Sequence, residues 1–445
     1  MKKVLYISYY WPPCGGPGVQ RSLKFVKYLK QYGIEPIVIT VDPAKASYPV
    51  MDTSLLSEIP NDIRIIKTST LEPFGIYERL TKKKELPHSG FANESNPGFL
   101  SRVSRFIRGN FFIPDPRAGW NRYLIKAALK VISTENIDAI ITSSPPHSTQ
   151  LAGLRLCKKT GIPWIADLRD PWTDIYYYRQ LYHTKPALWL DKKYEKSVIE
   201  MADAILVVSD SLKRLFSAKT DGVVASKIHV LANGYDRSDF SVTEHISTDV
   251  FRIVYTGTIS DDYPLDVLVN SLIRLRDSGR TNWQIEVCGK LSPALRQWIS
   301  KSDIASNFRF VPYMSHQDVV LKMQKSEILL LIIPDIEDNA GILTGKLFEY
   351  IAAQRPILGI GPVNGDASAI LRETGSGEMF DYNNMEAITQ YLSIWYDVWQ
   401  SGNWEFAPTG DIEKYSREAL TGQLVEIINL YSKSGSQSQL HRTID

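Results

Sequence analysis

The chain has 445 residues, 44% of them hydrophobic and 22% charged, with a formal net charge of +2. That length exceeds one ordinary core and implies two or three domains, while the near balance of charge excludes a protein whose main work is neutralising nucleic-acid phosphates. Cys14, Cys157 and Cys288 are far apart and form no CxxC pair, which excludes a disulfide framework and a structural zinc site and points to a reducing compartment.

The first predicted strand is Val4–Ser8, short and rich in β-branched and aromatic residues. It runs into "YWPPCGGPGVQRSLKF" (10–25), after which Val19, Leu23, Val26 and Leu29 repeat at helical spacing. The turn reads Gly15-Gly16-x-Gly18, which is neither the dinucleotide fingerprint G-x-G-x-x-G nor a P-loop. Its amides can face an anion at the helix N-terminus, or the turn can be a tight βα connection without a ligand. Strands follow at Pro36–Val41, Ile63–Thr68, Ala139–Ser143, Pro163–Asp167 and Ala204–Ser209. Between them lie amphipathic segments such as Trp120–Ser133, Thr149–Lys159 and Leu188–Met201. Leu71–Arg117 interrupts this order as a long insertion, of the kind usually functional or mobile.

The polar stretch 233–250 reads as a boundary, so the first domain is expected over residues 1–235 and the second over 250–405. In the second, strands Arg252–Gly257, Gln284–Gly289, Phe308–Pro312, Ile328–Ile333 and Pro356–Gly359 alternate with helices near Leu265–Asp277, Pro293–Lys301, Gln317–Lys325 and Lys346–Ala353. Strands apolar on both faces alternating with helices imply an α/β fold with two doubly wound parallel sheets. A last helix is expected within 406–431, near Ser416–Leu430, and a disordered tail over 432–445.

No window has the apolar length of a membrane span, and the apolar run of "MKKVLYISYYWPP" is too short for a signal peptide. The expected location is cytoplasmic, at most with attachment to the inner face of the membrane. Residues 99–130 interleave Arg102, Arg105, Arg108, Arg117, Arg122 and Lys126 with Phe106, Phe111, Phe112, Trp120 and Tyr123. This mixture suits an anionic lipid interface; it equally suits an ordinary amphipathic helix with a solvated basic face, the plainer reading.

Ligands of an open parallel sheet collect at the carboxyl ends of its strands. After Ile141 comes "TSSPPHSTQLAG", with His147 at a strand-to-helix junction, and after Ile165 comes "ADLRDPWTD". Strand alternation points Asp167 and Arg169 to one side and leaves Asp170 at the tip. So many ionisable groups at one strand end are costly without a polar ligand or mutual pairing. In the second half, "YTGTISDDYPLD" ends a strand at Gly257–Thr258, and "NAGILTGKLFEYIAAQRPILGIG" sets Gly341, Ile342, Leu343, Thr344 and Gly345 before a helix that begins with Lys346. Free amides, a hydroxyl and one lysine suit a diphosphate, and Glu349 a turn later can accept two hydrogen bonds from a ribose diol. A plainly capped helix with Lys346 solvated is the alternative.

The segment "TGKLFEYIAAQRPILGIG" strongly resembles the nucleotide-sugar site of retaining glycosyltransferases of family 4. "PPCGGPGVQR", "ADLRDPWTD" and "YTGTISDDYPLD" are similar to further blocks of that family, in matching order. The resemblance implies the GT-B fold: two Rossmann-like domains whose sheets face a central cleft, the last helix crossing back to the first domain. By position, Glu349 would bind the ribose, Gly341–Lys346 together with Gly257 and Thr258 the diphosphate and sugar, and Gly15 and Gly16 would approach the donor from the opposite wall. Arg169 falls where many members carry a histidine, so Arg169 and Asp170, with His147, are the candidates for orienting the transferred sugar. Gly341 stands where the family usually has its first acidic residue, with Glu337 and Asp338 displaced nearby. Thr258 stands where a basic residue often follows, which leaves Lys346 to supply positive charge.

There is no D-x-D, in keeping with a diphosphate neutralised by backbone dipoles and basic side chains; no metal and no cofactor beyond the donor substrate are expected. The expected partners are a nucleotide sugar and a saccharide or lipid-linked acceptor, without nucleic acid. A nucleotide-sugar epimerase of the same fold, or a catalytically silent nucleotide-sugar-binding protein, are the alternatives. A redox Rossmann enzyme is disfavoured, because neither half has G-x-G-x-x-G with a suitably placed acid.

Overall fold

The computed structural model describes residues 1–72, 99–240, 249–312 and 314–432. Most of the expected insertion, the middle of the expected boundary and the tail beyond residue 432 lie outside the described residues. The chain forms two compact units, residues 1–233 with 417–445, and residues 234–416.

The N-terminal unit is built on β1 (Lys2–Ser8), β2 (Ile34–Val41), β3 (Arg64–Thr68), β4 (Ala139–Ser144), β5 (Trp164–Leu168), β6 (Ala204–Val207) and β7 (Ile228–Val230). They form one parallel sheet in the order β3-β2-β1-β4-β5-β6-β7. Alternation along β1 sends Leu5 and Ile7 to one core with Trp120 and Trp164, and Val4 and Tyr6 to the other. In the second of these cores the helix Arg417–Tyr431 packs on the helix Pro17–Leu29, burying Leu424 and Ile428 beside Leu23 and Val26.

The C-terminal unit repeats the plan with β8 (Phe251–Ile259), β9 (Trp283–Leu291), β10 (Phe308–Val311), β11 (Ile328–Ile332), β12 (Ile357–Ile360) and β13 (Gly377–Phe380), ordered β10-β9-β8-β11-β12-β13 and all parallel. Both sheets change winding direction once, at β1/β4 and at β8/β11, and the carboxyl ends there are where this topology opens a crevice.

Two edge strands escape the pattern of the sequence. β7 has three residues, and β13 reads "GEMF", too short and too polar at its start to register as a buried run. β8 and β9 also continue past the glycines at which they were expected to stop. Gly257 pairs with Gly289, and a Cβ on Gly289 would meet the Gly257 carbonyl oxygen at 2.3 Å. The ladder therefore runs on to Ile259 and Leu291 because both partners lack a side chain.

The helix after the glycine turn is basic in sequence, yet Arg21 and Lys24 are buried. Lys24 pairs with Glu58, and Arg21 donates to both oxygens of Asp167, from Nε at 3.2 Å and Nη2 at 3.0 Å, and to the Ala232 carbonyl at 2.6 Å. Ser143 Oγ completes the carboxylate's shell at 3.0 Å. Asp167 is thus a structural anion, not an open group at a strand end, and the mutual-pairing alternative holds for it. Arg21→Met leaves that carboxylate buried and unpaired. It is expected to destabilise the unit by about 3–5 kcal/mol, measured by chemical denaturation, with Arg21→Met/Asp167→Leu recovering most of the loss.

Candidate functional site

In the C-terminal unit the crevice lies between the ends of β8 and β11. The loops that leave these strands are tied together by a hydrogen bond from Asp335 N to the Asp262 carbonyl at 3.0 Å. From β11 the chain passes a short turn at Asn339–Gly341 and enters the helix Gly345–Ala353. Thr344 is its N-cap, but the hydroxyl caps nothing and is buried without a partner. The capped-helix alternative therefore does not describe this end. Lys346 turns back over β8, with Nζ 2.5 Å from the Tyr255 hydroxyl and 4.0 Å from its ring centroid. A Cβ at Gly257, where φ is +112°, would stand 3.3 Å from the ammonium. Desolvation lowers the Lys346 pKa to about 7, against an upward pull from Glu349 on the same helix.

The structure thus brings Gly257 and Lys346 together and sets Glu349 three residues along the same helix. Tyr255, which sequence reasoning passed over as core, joins them. Glu337 and Asp338 are exposed, on the turn before Gly341.

In the N-terminal unit the crevice lies between the ends of β1 and β4. Of the three glycines after β1, Gly15 gives its N–H to the Val50 carbonyl at 3.0 Å, and a Cβ there would press on Val50 and Asp52 at 3.1 Å. Gly18 makes room for Arg169, whose Nη1 would lie 2.1 Å from an added Cβ. Gly16 alone faces open space, at φ +108°. The expectation that these glycines clear a path for a donor is corrected for Gly15, whose amide is already used; a role of that kind is left to Gly16.

Alternation along β5 holds, since Asp167 and Arg169 both reach the helix Pro17–Leu29. Arg169 Nε also donates to the Ser144 carbonyl at 2.8 Å. Asp170 has no hydrogen-bond partner among the described residues; burial pushes its pKa up, Arg169 opposes the shift and Asp167 adds to it. His147 stacks on Trp172, with ring centroids 4.5 Å apart. Its Nδ1 is buried without a partner, and burial, aided by Arg169 and Lys219, lowers its pKa to about 3. His147 is therefore a neutral imidazole at physiological pH and carries no proton for acid catalysis. The helix it begins, Ser148–Thr160, receives a carboxylate at its N-terminus from within the chain. Asp115 accepts from Ser148 N at 2.7 Å and from its hydroxyl at 2.9 Å.

Trp172 takes φ +35°, a conformation that costs energy for any residue with a side chain. Two carboxylates one turn apart on the helix Lys185–Met201 hold it in place. Asp191 accepts from Trp172 Nε1 at 2.9 Å and from the Tyr178 hydroxyl at 2.7 Å. Glu195 accepts from the Thr173 hydroxyl at 2.7 Å and pairs with Lys219 at 2.7 Å. The signal in the sequence was Asp191 and Glu195 at i, i+4 inside a buried stripe, legible only as an amphipathic helix.

The segment 99–130, whose sequence suits a solvated basic face, is divided by the fold. The helix Phe99–Phe111 exposes Val103, Phe106, Ile107 and Phe111, while Arg105 is buried and donates to Gln180. Arg117 lies on the rings of Tyr9 and Tyr10. Among the described residues no helix is long and apolar enough to cross a membrane, and no group of three metal-ligating side chains is assembled.

Comparison with known proteins agrees with this fold. Residues 85–239, mostly in the N-terminal unit, match the model of Glycosyltransferase Family 4. Anabaena HepE, solved with UDP and glucose, covers 96% of this chain and 100% of its own, at TM-score 0.59 and 11% identity. WaaG, a glycosyltransferase involved in lipopolysaccharide biosynthesis, covers 96% of each chain at TM-score 0.53 and 14% identity. A UDP-N-acetylglucosamine 2-epimerase from Listeria monocytogenes, so titled provisionally, covers 96% of each at TM-score 0.50 and 13% identity. No curated protein is similar enough in sequence to match. The fold is that of the GT-B glycosyltransferases, two Rossmann-like α/β units. The model that residues 85–239 match is of the family to which the motifs pointed, and the motif that begins at Thr344 lies outside that match.

Burial pushes the Asp191 carboxyl up to about 6, with hydrogen bonds from Tyr178 and Trp172 opposing the shift. The folded state therefore holds this proton more tightly than the unfolded chain. The associated stability is complete below about pH 4 and lost as pH rises through about 6. Asp191→Asn cannot titrate, so between pH 4 and pH 7 the wild type should lose roughly 2–3 kcal/mol relative to the variant. Denaturation at both pH values checks this; an unchanged difference would mean that folding leaves the Asp191 pKa where it is in the unfolded chain.

Proposed function

We propose that the protein transfers a sugar from a UDP-sugar to a saccharide acceptor, free or lipid-linked, with retention of anomeric configuration. The observation that carries the donor half is Lys346, set over Gly257 at the β8/β11 switch point, with Glu349 one turn further along. Retention rests on the resemblance to retaining members of family 4, and the uridine donor on the nucleotide bound by HepE.

Departure of UDP concentrates negative charge on the β-phosphate. Lys346 and the amides at the start of the helix Gly345–Ala353 meet it with fixed positive potential, so stabilisation needs no metal in this reading. The Thr344 hydroxyl, together with Gly341, Ile342 and Leu343 before it, lines the path of the diphosphate and sugar, and Thr258 the opposite edge. Glu349 accepts two hydrogen bonds from the ribose diol. In the N-terminal unit Asp170 receives the acceptor hydroxyl, Arg169 keeps it oriented, and neutral His147 offers a hydrogen bond from its edge rather than a proton. The apolar face of the helix Phe99–Phe111 is where a lipid-linked acceptor would bring this unit against a membrane.

UDP-glucose is expected to raise the melting temperature of the wild type and to be hydrolysed slowly. Glu349→Ala loses two charge-assisted bonds and should bind about 30-fold to 150-fold more weakly, some 2–3 kcal/mol. Unchanged affinity in that variant would contradict the donor assignment. Conversion of the donor to an epimer without acceptor would instead support the epimerase reading. Tight binding without turnover would support the silent one, for which Gly341 at the usual acidic position is the supporting feature.

A further inference from the structure

We propose that Tyr255 is a positioning residue of the donor site: its hydroxyl fixes the Lys346 ammonium over Gly257, in place of the basic residue that Thr258 displaces. The inference rests on the donor reading above but concerns a residue to which the sequence reading gave no role. Tyr255 lies on β8, two residues before Gly257, and is fully buried. Its hydroxyl donates to the Thr258 carbonyl at 2.9 Å, which aims the oxygen lone pairs away from that carbonyl and towards Lys346 Nζ at 2.5 Å. Thr258, although it brings no charge of its own, thereby contributes through its backbone.

A lysine side chain has four rotatable carbons and loses roughly 2 kcal/mol of rotamer freedom when fixed. Without an acceptor beneath it, Nζ would keep the face of the Tyr255 ring but no directed contact among the described residues at the glycine-ended strand. Gly257 completes the device. A Cβ there would stand 3.3 Å from Nζ, and the strand's φ of +112° at this point already favours glycine.

Among the described residues, Tyr255 touches the ammonium and Glu349 acts on it through its charge, while Tyr263, in the loop after β8, and the neighbouring Tyr350 act on the Tyr255 hydroxyl. A burial-depressed lysine that meets a diphosphate takes up a proton, so affinity should fall as pH rises through neutrality. UDP-glucose suits the test because its diphosphate diester does not titrate in this range.

The experiment measures UDP-glucose binding by calorimetry from pH 6 to 8.5 for the wild type, Lys346→Met, Tyr255→Phe and Tyr350→Phe. Tyr350 is the control: it too is a buried tyrosine, but its hydroxyl bonds Thr256 N at 2.9 Å rather than Lys346. The wild type should lose about tenfold in affinity over the range. Tyr255→Phe keeps the ring beneath Nζ but removes its acceptor, so Lys346 is no longer fixed at one point, and the variant should bind about tenfold more weakly at pH 6 with a flatter profile above it. Tyr350→Phe should keep the wild-type slope. A wild-type affinity and slope in Tyr255→Phe would overturn the proposal, as would equal loss of both in Tyr350→Phe. If the wild type fails to bind UDP-glucose, or Lys346→Met binds as well as the wild type, the donor reading itself falls.

Discussion

A lysine ammonium partly withdrawn from water onto a phenol, where no carboxylate among the described residues is its hydrogen-bond partner, is the constraint on which the candidate site of the C-terminal unit depends. Burying a cation is expensive, and a depressed pKa is how the cost appears. A protein selected only for stability would leave Lys346 in solvent, as the helix surface allows. Holding it over a strand position with no side chain makes sense where an anion arrives and repays the desolvation. The unpartnered Thr344 hydroxyl at the same helix end points the same way, since buried hydroxyls ordinarily find a partner within the protein.

The N-terminal unit shows the opposite arrangement, in which charges that look available are already paired. Arg21 and Asp167 neutralise each other beneath the sheet, Asp115 occupies the start of the helix Ser148–Thr160, and Glu195 binds Lys219. These pairs build the platform. What remains at the crevice is small: Gly16 in open space, Asp170 at a strand tip, and an imidazole stacked on an indole that is itself held in a left-handed conformation. The strain at Trp172 is balanced by the carboxylates of the helix Lys185–Met201, so that helix, remote in sequence, sets the orientation of His147.

The parallel sheets were legible because their strands are apolar on both faces, and the switch points follow from strand order. The helix Gly345–Ala353 was legible as a candidate diphosphate site because glycine, threonine and lysine sit together at its start. The role of the glycine turn was only partly legible. Sequence spacing cannot distinguish a glycine cleared for a ligand from one cleared for a neighbour, and Gly15 and Gly18 proved to accommodate Val50, Asp52 and Arg169. Arg21, Asp191 and Tyr255 were invisible for a related reason. Their partners are distant in the chain, so a buried arginine reads as a basic helix face and a buried tyrosine as core.

The central claim is that the helix Gly345–Ala353 and the end of β8 receive one diphosphate. Amide hydrogen exchange with and without UDP-glucose tests it most directly. The account predicts slowed exchange at residues 341–346 and at 257–259, with the interior of both sheets unchanged. Protection confined to other segments, with these two exchanging as before, would contradict it.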